Sequence, residues 1–193
     1  MNVAVLCEFS GVVRDAFTAR GHVAVSCDLL PSETPGPHIR GDCRDHDWSV
    51  YDLVIAHPPC THLAVSGARW FGGKREEQAE ALAFVRWIMA LPVARLALEN
   101  PISVISTAIR RPDQVIQPWW FGHPETKATC LWLWGLPPLV ATNPVEPTNG
   151  SRVWRLPESS TRWMERSRTL PGVAAAMADQ WSSMPAQMCL VAV

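Results

Sequence analysis

Two side chains in this sequence are placed to do covalent and proton-transfer chemistry. Cys60 directly follows Pro58-Pro59, and a thiol on so stiff a turn is pointed away from the preceding strand, as a nucleophile must be. Glu99 ends a buried apolar run and is followed by Asn100-Pro101. A carboxyl group held there can donate or accept a proton at a bound heterocycle. Each has a plainer reading: Cys60 as a small buried hydrophobe, and Glu99 as a strand-end acid that caps a helix or pairs with an arginine. Asp28 and Asp42 also fall at the ends of short apolar runs, where an acid is either a ligand for hydroxyl and amino groups or an ordinary turn residue.

The elements that position these residues can be read from periodicity. Residues 2–7, NVAVLC, form a Val-rich strand that ends at Glu8-Phe9-Ser10-Gly11, and Val12, Val13, Ala16 and Phe17 follow at helical spacing. Gly21 closes that helix, and His22 to Cys27 makes a second strand terminating at Asp28. After an irregular connection rich in proline, Ile39-Arg40-Gly41-Asp42 reads as a weak third strand. Tyr51 to Ala56 is a buried strand stopped by Pro58-Pro59, and Glu76 to Met89 is a helix with Ala79, Leu82, Val85, Ile88 and Met89 on one stripe. Ala94 to Leu98 is the next strand. Thr129 to Trp134 is a later one, and Pro171 opens a last helix with Val173, Ala176, Met177, Gln180 and Trp181 on one face.

Alternating strands and helices with polar residues at successive strand ends predict an α/β protein with an open, mostly parallel sheet. Its ligand crevice lies at the carboxyl ends of the strands, so Asp28, Asp42, Cys60 and Glu99 share one rim. We read a single domain over 1–193, with the core sheet and helices in 1–139, an Arg- and Trp-containing loop region in 140–167, and a terminal helix and tail in 168–193.

The composition excludes several classes. Seventeen Lys+Arg stand against 18 Asp+Glu among 193 residues, a formal net charge of −1, so this is not a polybasic protein whose whole surface attracts phosphate. Only Lys74 and Lys127 are lysines. The arginine excess suits planar bidentate contacts and follows equally from a GC-rich coding sequence. A chain of this length can bury a core without disulfide or metal staples. Six cysteines with no C-x-x-C pair, and an N-terminus without a signal-peptide pattern, predict a cytoplasmic protein with free thiols. No apolar run reaches 18 residues, so no membrane span is expected. The histidines show no metal-ligand spacing. His57 and His62 flank Cys60, where they either tune its thiol or sit as surface loop residues.

Asp52-Leu53-Val54-Ile55-Ala56-His57-Pro58-Pro59-Cys60 resembles the Pro-Cys nucleophile loop of the DNA cytosine-5 methyltransferases, and Leu98-Glu99-Asn100-Pro101 resembles their Glu-Asn strand end. The order of the two elements, with 38 residues between Cys60 and Glu99 holding one helix and one strand, gives the pair its specificity. Val5 to Gly11 is similar to the family's Phe- and Gly-containing methionine-binding loop, and Arg168 to Trp181 is similar to a terminal helix of compact phage and bacterial members. The resemblance implies a Rossmann-like S-adenosylmethionine-dependent methyltransferase fold and methyl transfer to C5 of cytosine in DNA. It implies Cys60 as the group that adds to C6, Glu99 as the partner of N3 and the exocyclic amine, and Asn100 as the residue that holds the loop. S-adenosyl-L-methionine would then lie across the strand ends, with Phe9, Ser10 and Gly11 near its methionine part, Asp28 on the ribose hydroxyls and Asp42 on the adenine amine, and with Pro58 as a further cofactor-binding residue.

The sequence departs from that pattern in several places. The first loop has one glycine, Gly11, and an acid at Glu8, and Pro101 stands where a small apolar residue is usual. The Gln-x-Arg-x-Arg segment is missing. Glu125 to Thr129 takes its place, where Lys127 reaches a phosphate or the base or stays solvated. Residues 140–167 are too few for a target-recognition domain, although Arg152, Arg155, Arg162, Arg166 and Arg168 with Trp154 and Trp163 suit phosphates and unstacked bases. Two alternatives stay open: C5 modification of a pyrimidine in RNA or a free nucleotide, and a nucleic-acid-binding relative without turnover.

Overall fold

The computed structural model describes residues 1–151, 157–159 and 161–182, apart from the side chains of 69–71. Among the described residues seven strands form one sheet: β1 (Asn2–Leu6), β2 (Val23–Asp28), β3 (His38–Arg40), β4 (Leu53–Ala56), β5 (Leu96–Pro101), β6 (Gln114–Ile116) and β7 (Thr129–Trp134). Their order is β3-β2-β1-β4-β5-β7-β6. The first five strands pair in parallel, and β7 runs antiparallel to both β5 and β6. This is the Rossmann-like, mostly parallel α/β sheet that the alternating pattern predicts, with a reversed strand near one edge.

Strand β1 shows why the apolar runs are continuous. Val3 and Val5 face one layer of core and Ala4 and Leu6 the other, all fully buried, because a parallel strand in mid-sheet is covered on both sides. On the first face lie α1 (Val12–Thr18) and the last helix, Pro171–Ser182, with Phe17, Met177 and Trp181 against Val3, Val5, Leu53 and Ile55. On the second face lies α2 (Arg75–Met89), whose Val85 and Ile88 pack with Leu6, Val54, Ala56 and Leu98. Ala79, expected on the buried stripe, is exposed; partly buried Ala81 and Phe84 join the expected Leu82 and Met89 on the packed face. Two short elements escape the periodicity reading, α3 (Ile105–Ala108) and β6, being one turn and three residues long. A further short helix, α4 (Arg162–Ser167), precedes the last one, here α5 (Pro171–Ser182).

Candidate active site

Cys60 and Glu99 line one cavity of about 470 Å³, together with His57, Pro58, Pro59 and Asn100. The loop after β4 and the end of β5 build its floor. Ala56, the last residue of β4, pairs with Leu98, so the loop after β4 emerges beside Glu99 and Asn100 in the last part of β5. Asn100, buried, donates from Nδ2 to the Pro58 carbonyl at 2.9 Å and ties the two segments together. The Val65 amide donates to the Ile102 carbonyl at 3.0 Å, and Val104 donates to Leu63 at 2.9 Å, extending the tie beyond Cys60. The Leu63 and Ala64 amides bond back to the Cys60 carbonyl, so the thiol stands on the first residue of a tight turn.

The reversed strand supplies the opposite wall. Thr129 pairs with Pro101 and with Ile116, so the start of β7, the end of β5 and the end of β6 meet at one rim. Lys127 and Gln117 therefore line the Cys60 cavity, along with Arg166 and Ser167 from α4. The Lys127 ammonium donates to the carbonyls of Arg166 at 3.0 Å and Arg168 at 3.4 Å, and its amide donates to Gln117 Oε1 at 3.1 Å. Lys127 is thus a tether between β7 and α4 as well as a charge on the wall.

Charge in this cavity is unevenly held. Burial pushes the Glu99 carboxyl upward, but the His57 hydrogen bond, the His57 charge and Lys127 outweigh it and hold the group below its ordinary range. His57 Nδ1 lies 3.3 Å from Glu99 Oε2. Cys60 moves the other way: burial first, then the Glu99 charge, raise its thiol above the ordinary value, against the pull of Lys127 and Arg166. The arrangement at rest is a protonated thiol beside an ionised carboxylate.

Asp28 and Asp42 line a second cavity of about 300 Å³ with Cys7, Cys27, Cys43, Arg44, Glu80 and Phe84. Pro59 borders both cavities, so the single expected rim is divided in two at that residue. Asp28 Oδ1 accepts the Leu30 amide at 2.9 Å, and burial raises its carboxyl group. Asp42 is paired with Arg44, which brings it down to about 2.

The first loop is packed into the structure. Phe9, Ser10 and Gly11 do not line the Asp28 cavity, and Pro58 faces the Cys60 cavity. Phe9 and Ser10 are buried, the Phe9 ring lying 5.9 Å from that of Trp163 on α4. The physical reason is Glu8. Its buried carboxylate accepts the Val13 amide at 2.6 Å and the Arg14 amide at 3.2 Å, capping α1 and turning the loop into the structure. Arg152, Arg155 and Trp154 lie outside the described residues. Among the described residues no His, Cys, Asp and Glu group could hold a metal ion, and no helix is long and apolar enough to cross a membrane.

Among solved structures the chain is similar to one from E. coli named "putative DNA modification methyltransferase encoded within prophage Cp". The identity is 16% and the TM-score 0.46, over 69% of this chain and 46% of that one. This chain therefore spans less than half of that protein's length. No family model and no curated protein matches the chain.

Sequence reasoning missed Gln117 as a wall residue, because it follows a three-residue strand with no periodicity, and Pro59 as the divider. It also left His57 undecided. Its place immediately after a buried strand, before two prolines, was the available signal.

Proposed function

We propose that this protein transfers a methyl group from S-adenosylmethionine to C5 of cytosine in DNA, through a covalent adduct between Cys60 and C6. The observation that carries the reading is that Cys60 and Glu99, remote in sequence, line one cavity with cationic Lys127 and Arg166 in its wall. Cytosine C5 is a poor nucleophile until a thiolate adds at C6 and makes the ring an enamine. The site holds the protons this step needs. As the S–C6 bond forms, the Cys60 proton passes to the Glu99 carboxylate and on to N3, so thiol and ring become a neutral adduct with no outside acid. Once C5 carries the methyl group, its hydrogen leaves as a proton to water, the S–C6 bond breaks with its electron pair going to the Cys60 sulfur, and the N3 proton returns through Glu99 to that thiolate, restoring the thiol and a neutral base. The base leaves its stack to reach this depth.

The second cavity fits S-adenosylmethionine in its donor set. Two carboxylates, Asp28 and Asp42, suit a ligand that presents ribose hydroxyls and an amine, and Phe84 and the cysteines give apolar walls. When bound, S-adenosylmethionine supplies a methyl group on an electron-poor sulfonium. Pro59 keeps the two ligands on adjoining sides of one residue.

The test is mass spectrometry of nucleosides from duplex DNA, single-stranded DNA and dCMP, each incubated with the protein and S-adenosylmethionine. 5-Methylcytosine is expected from DNA. Cys60→Ser abolishes it, and Glu99→Gln slows it by about 10²- to 10³-fold with the fold intact. Product from dCMP alone, or DNA binding with no modified base, overturns the reading.

A further inference from the structure

The His57 ring has an unusual set of contacts. It is held just past β4 by the bond from its own amide to the Leu6 carbonyl at 3.0 Å, and its side chain is 8% exposed. Nδ1 meets Glu99 Oε2 at 3.3 Å, whereas Nε2 is buried with no hydrogen-bond partner among the described residues. A histidine that served only to knit the loop together would satisfy both nitrogens. Among the described residues the one hydrogen-bonding contact of the ring is to Glu99, and both residues line the Cys60 cavity.

We propose that His57 is a positioning residue: its Nδ1–H holds Glu99 as a carboxylate with Oε2 occupied, so that the proton shared by the site rests on Cys60 until substrate arrives. The groups around it are consistent with that assignment. Cys60, Lys127 and Cys130 act electrostatically on or with Glu99, Arg166 acts on Cys60, and Glu8 lies within electrostatic reach of His57. Glu8 does not compete for the ring, since its two oxygens are taken by the Val13 and Arg14 amides. Lys127 also favours the Glu99 carboxylate, but its ammonium is engaged by the carbonyls of Arg166 and Arg168. His57 is left as the direct donor. With Oε2 occupied, Oε1 is the oxygen available to a ring nitrogen, so His57 fixes orientation as well as charge.

The consequence for catalysis rests on the methyltransferase reading; the positioning itself does not. The test is therefore a ¹³C NMR titration of the Glu99 side-chain carboxyl in the free protein, its signal identified by loss in Glu99→Gln. An asparagine amide can stand where Nδ1 does, whereas a glutamine amide mimics Nε2 and phenylalanine donates nothing. His57→Asn should keep the Glu99 midpoint near the wild-type position. His57→Phe and His57→Gln should move it upward by about one pH unit, as expected for loss of a hydrogen bond to the charged form. Should the phenylalanine variant not fold, the Asn and Gln pair carries the comparison. Equal midpoints in all the folded variants, or an Asn midpoint displaced as far as Gln, overturn the proposal. A shifted midpoint in a protein that methylates nothing would leave His57 positioning intact and remove the proposed function; methylation with an unmoved Glu99 would do the reverse.

Discussion

Cys60 and Glu99 compete for negative charge in one cavity. A thiolate next to a carboxylate is penalised by burial and by repulsion, which is why the thiol lies above its ordinary value while the carboxyl lies below. The sign of a substitution follows directly. Glu99→Gln removes the negative neighbour, so the Cys60 thiol ionises at lower pH. Lys127→Met removes a positive one, so it ionises at higher pH. Iodoacetamide labelling across pH 7–10, followed at the Cys60 peptide by mass spectrometry, should show the Glu99→Gln midpoint about one unit below wild type and the Lys127→Met midpoint above it. Labelling near pH 8 should then be up to about tenfold faster in Glu99→Gln. Coincident curves for wild type and Glu99→Gln would mean that the two groups do not share a field, and the adduct chemistry would lose its basis.

At the scale of elements, the first loop is fixed by packing that the sequence only half discloses. Gly11 has φ +75°, and a methyl group there would overlap Thr34 Oγ1 and the Arg14 guanidinium. Arg14 is fully buried and donates to Ser26, Ser32 and Thr34 side chains and to the Pro35 and Pro37 carbonyls, pinning α1 to the connection between β2 and β3. Gly21 shares the left-handed conformation, φ +80°, but nothing lies near its missing Cβ. Gly21→Ala should therefore cost only the backbone strain, about 1–2 kcal/mol. Gly11→Ala should add overpacking, for a total of about 2–4 kcal/mol and a midpoint lowered by roughly 5–15 °C in a thermal melt followed by circular dichroism. Similar losses for the two would show that the Arg14 cluster yields easily. The parallel strands were legible because burial on both faces makes their runs apolar throughout, as in Leu53 to Ala56. Asp28 and Cys60 were legible for the same reason, since polarity begins near the strand ends, whereas β5 runs on through Glu99 and buried Asn100 to Pro101. The direction of β7 was not legible, because an apolar strand reads the same in either sense, nor was the inward turn of Phe9 and Ser10. That turn depends on the Glu8 cap, whose carboxylate reaches amides five and six residues ahead, a longer span than the usual capping box signals.

Across the whole molecule, function depends on how the sheet brings distant segments to one edge. Parallel β1, β2, β4 and β5 deliver their carboxyl ends there, and the reversal of β7 delivers its beginning, which is how Lys127 comes to face Cys60. Helix α4 closes the arrangement by touching both halves. Arg168, just after it, pairs with Glu33 at 2.6 Å on the β2–β3 connection and with Glu165, while Lys127 holds its carbonyl and that of Arg166. The two cavities are nevertheless lined by different residues apart from Pro59, so binding in one should survive chemical change in the other. Calorimetric titration with S-adenosylhomocysteine measures this. Asp28→Asn keeps an acceptor for the Leu30 amide but removes the charge, and should weaken binding about tenfold to a hundredfold, the scale of a hydrogen bond to a charged group. Cys60→Ser should leave that affinity within about twofold, because the substituted atom lies beyond Pro59, a difference below about 0.4 kcal/mol. Labelling of Cys60 in Asp28→Asn should match wild type. If Cys60→Ser lost S-adenosylhomocysteine as severely as Asp28→Asn, the two cavities would be one site, and a division of labour between an aspartate-lined donor pocket and a thiol-lined base pocket could not stand.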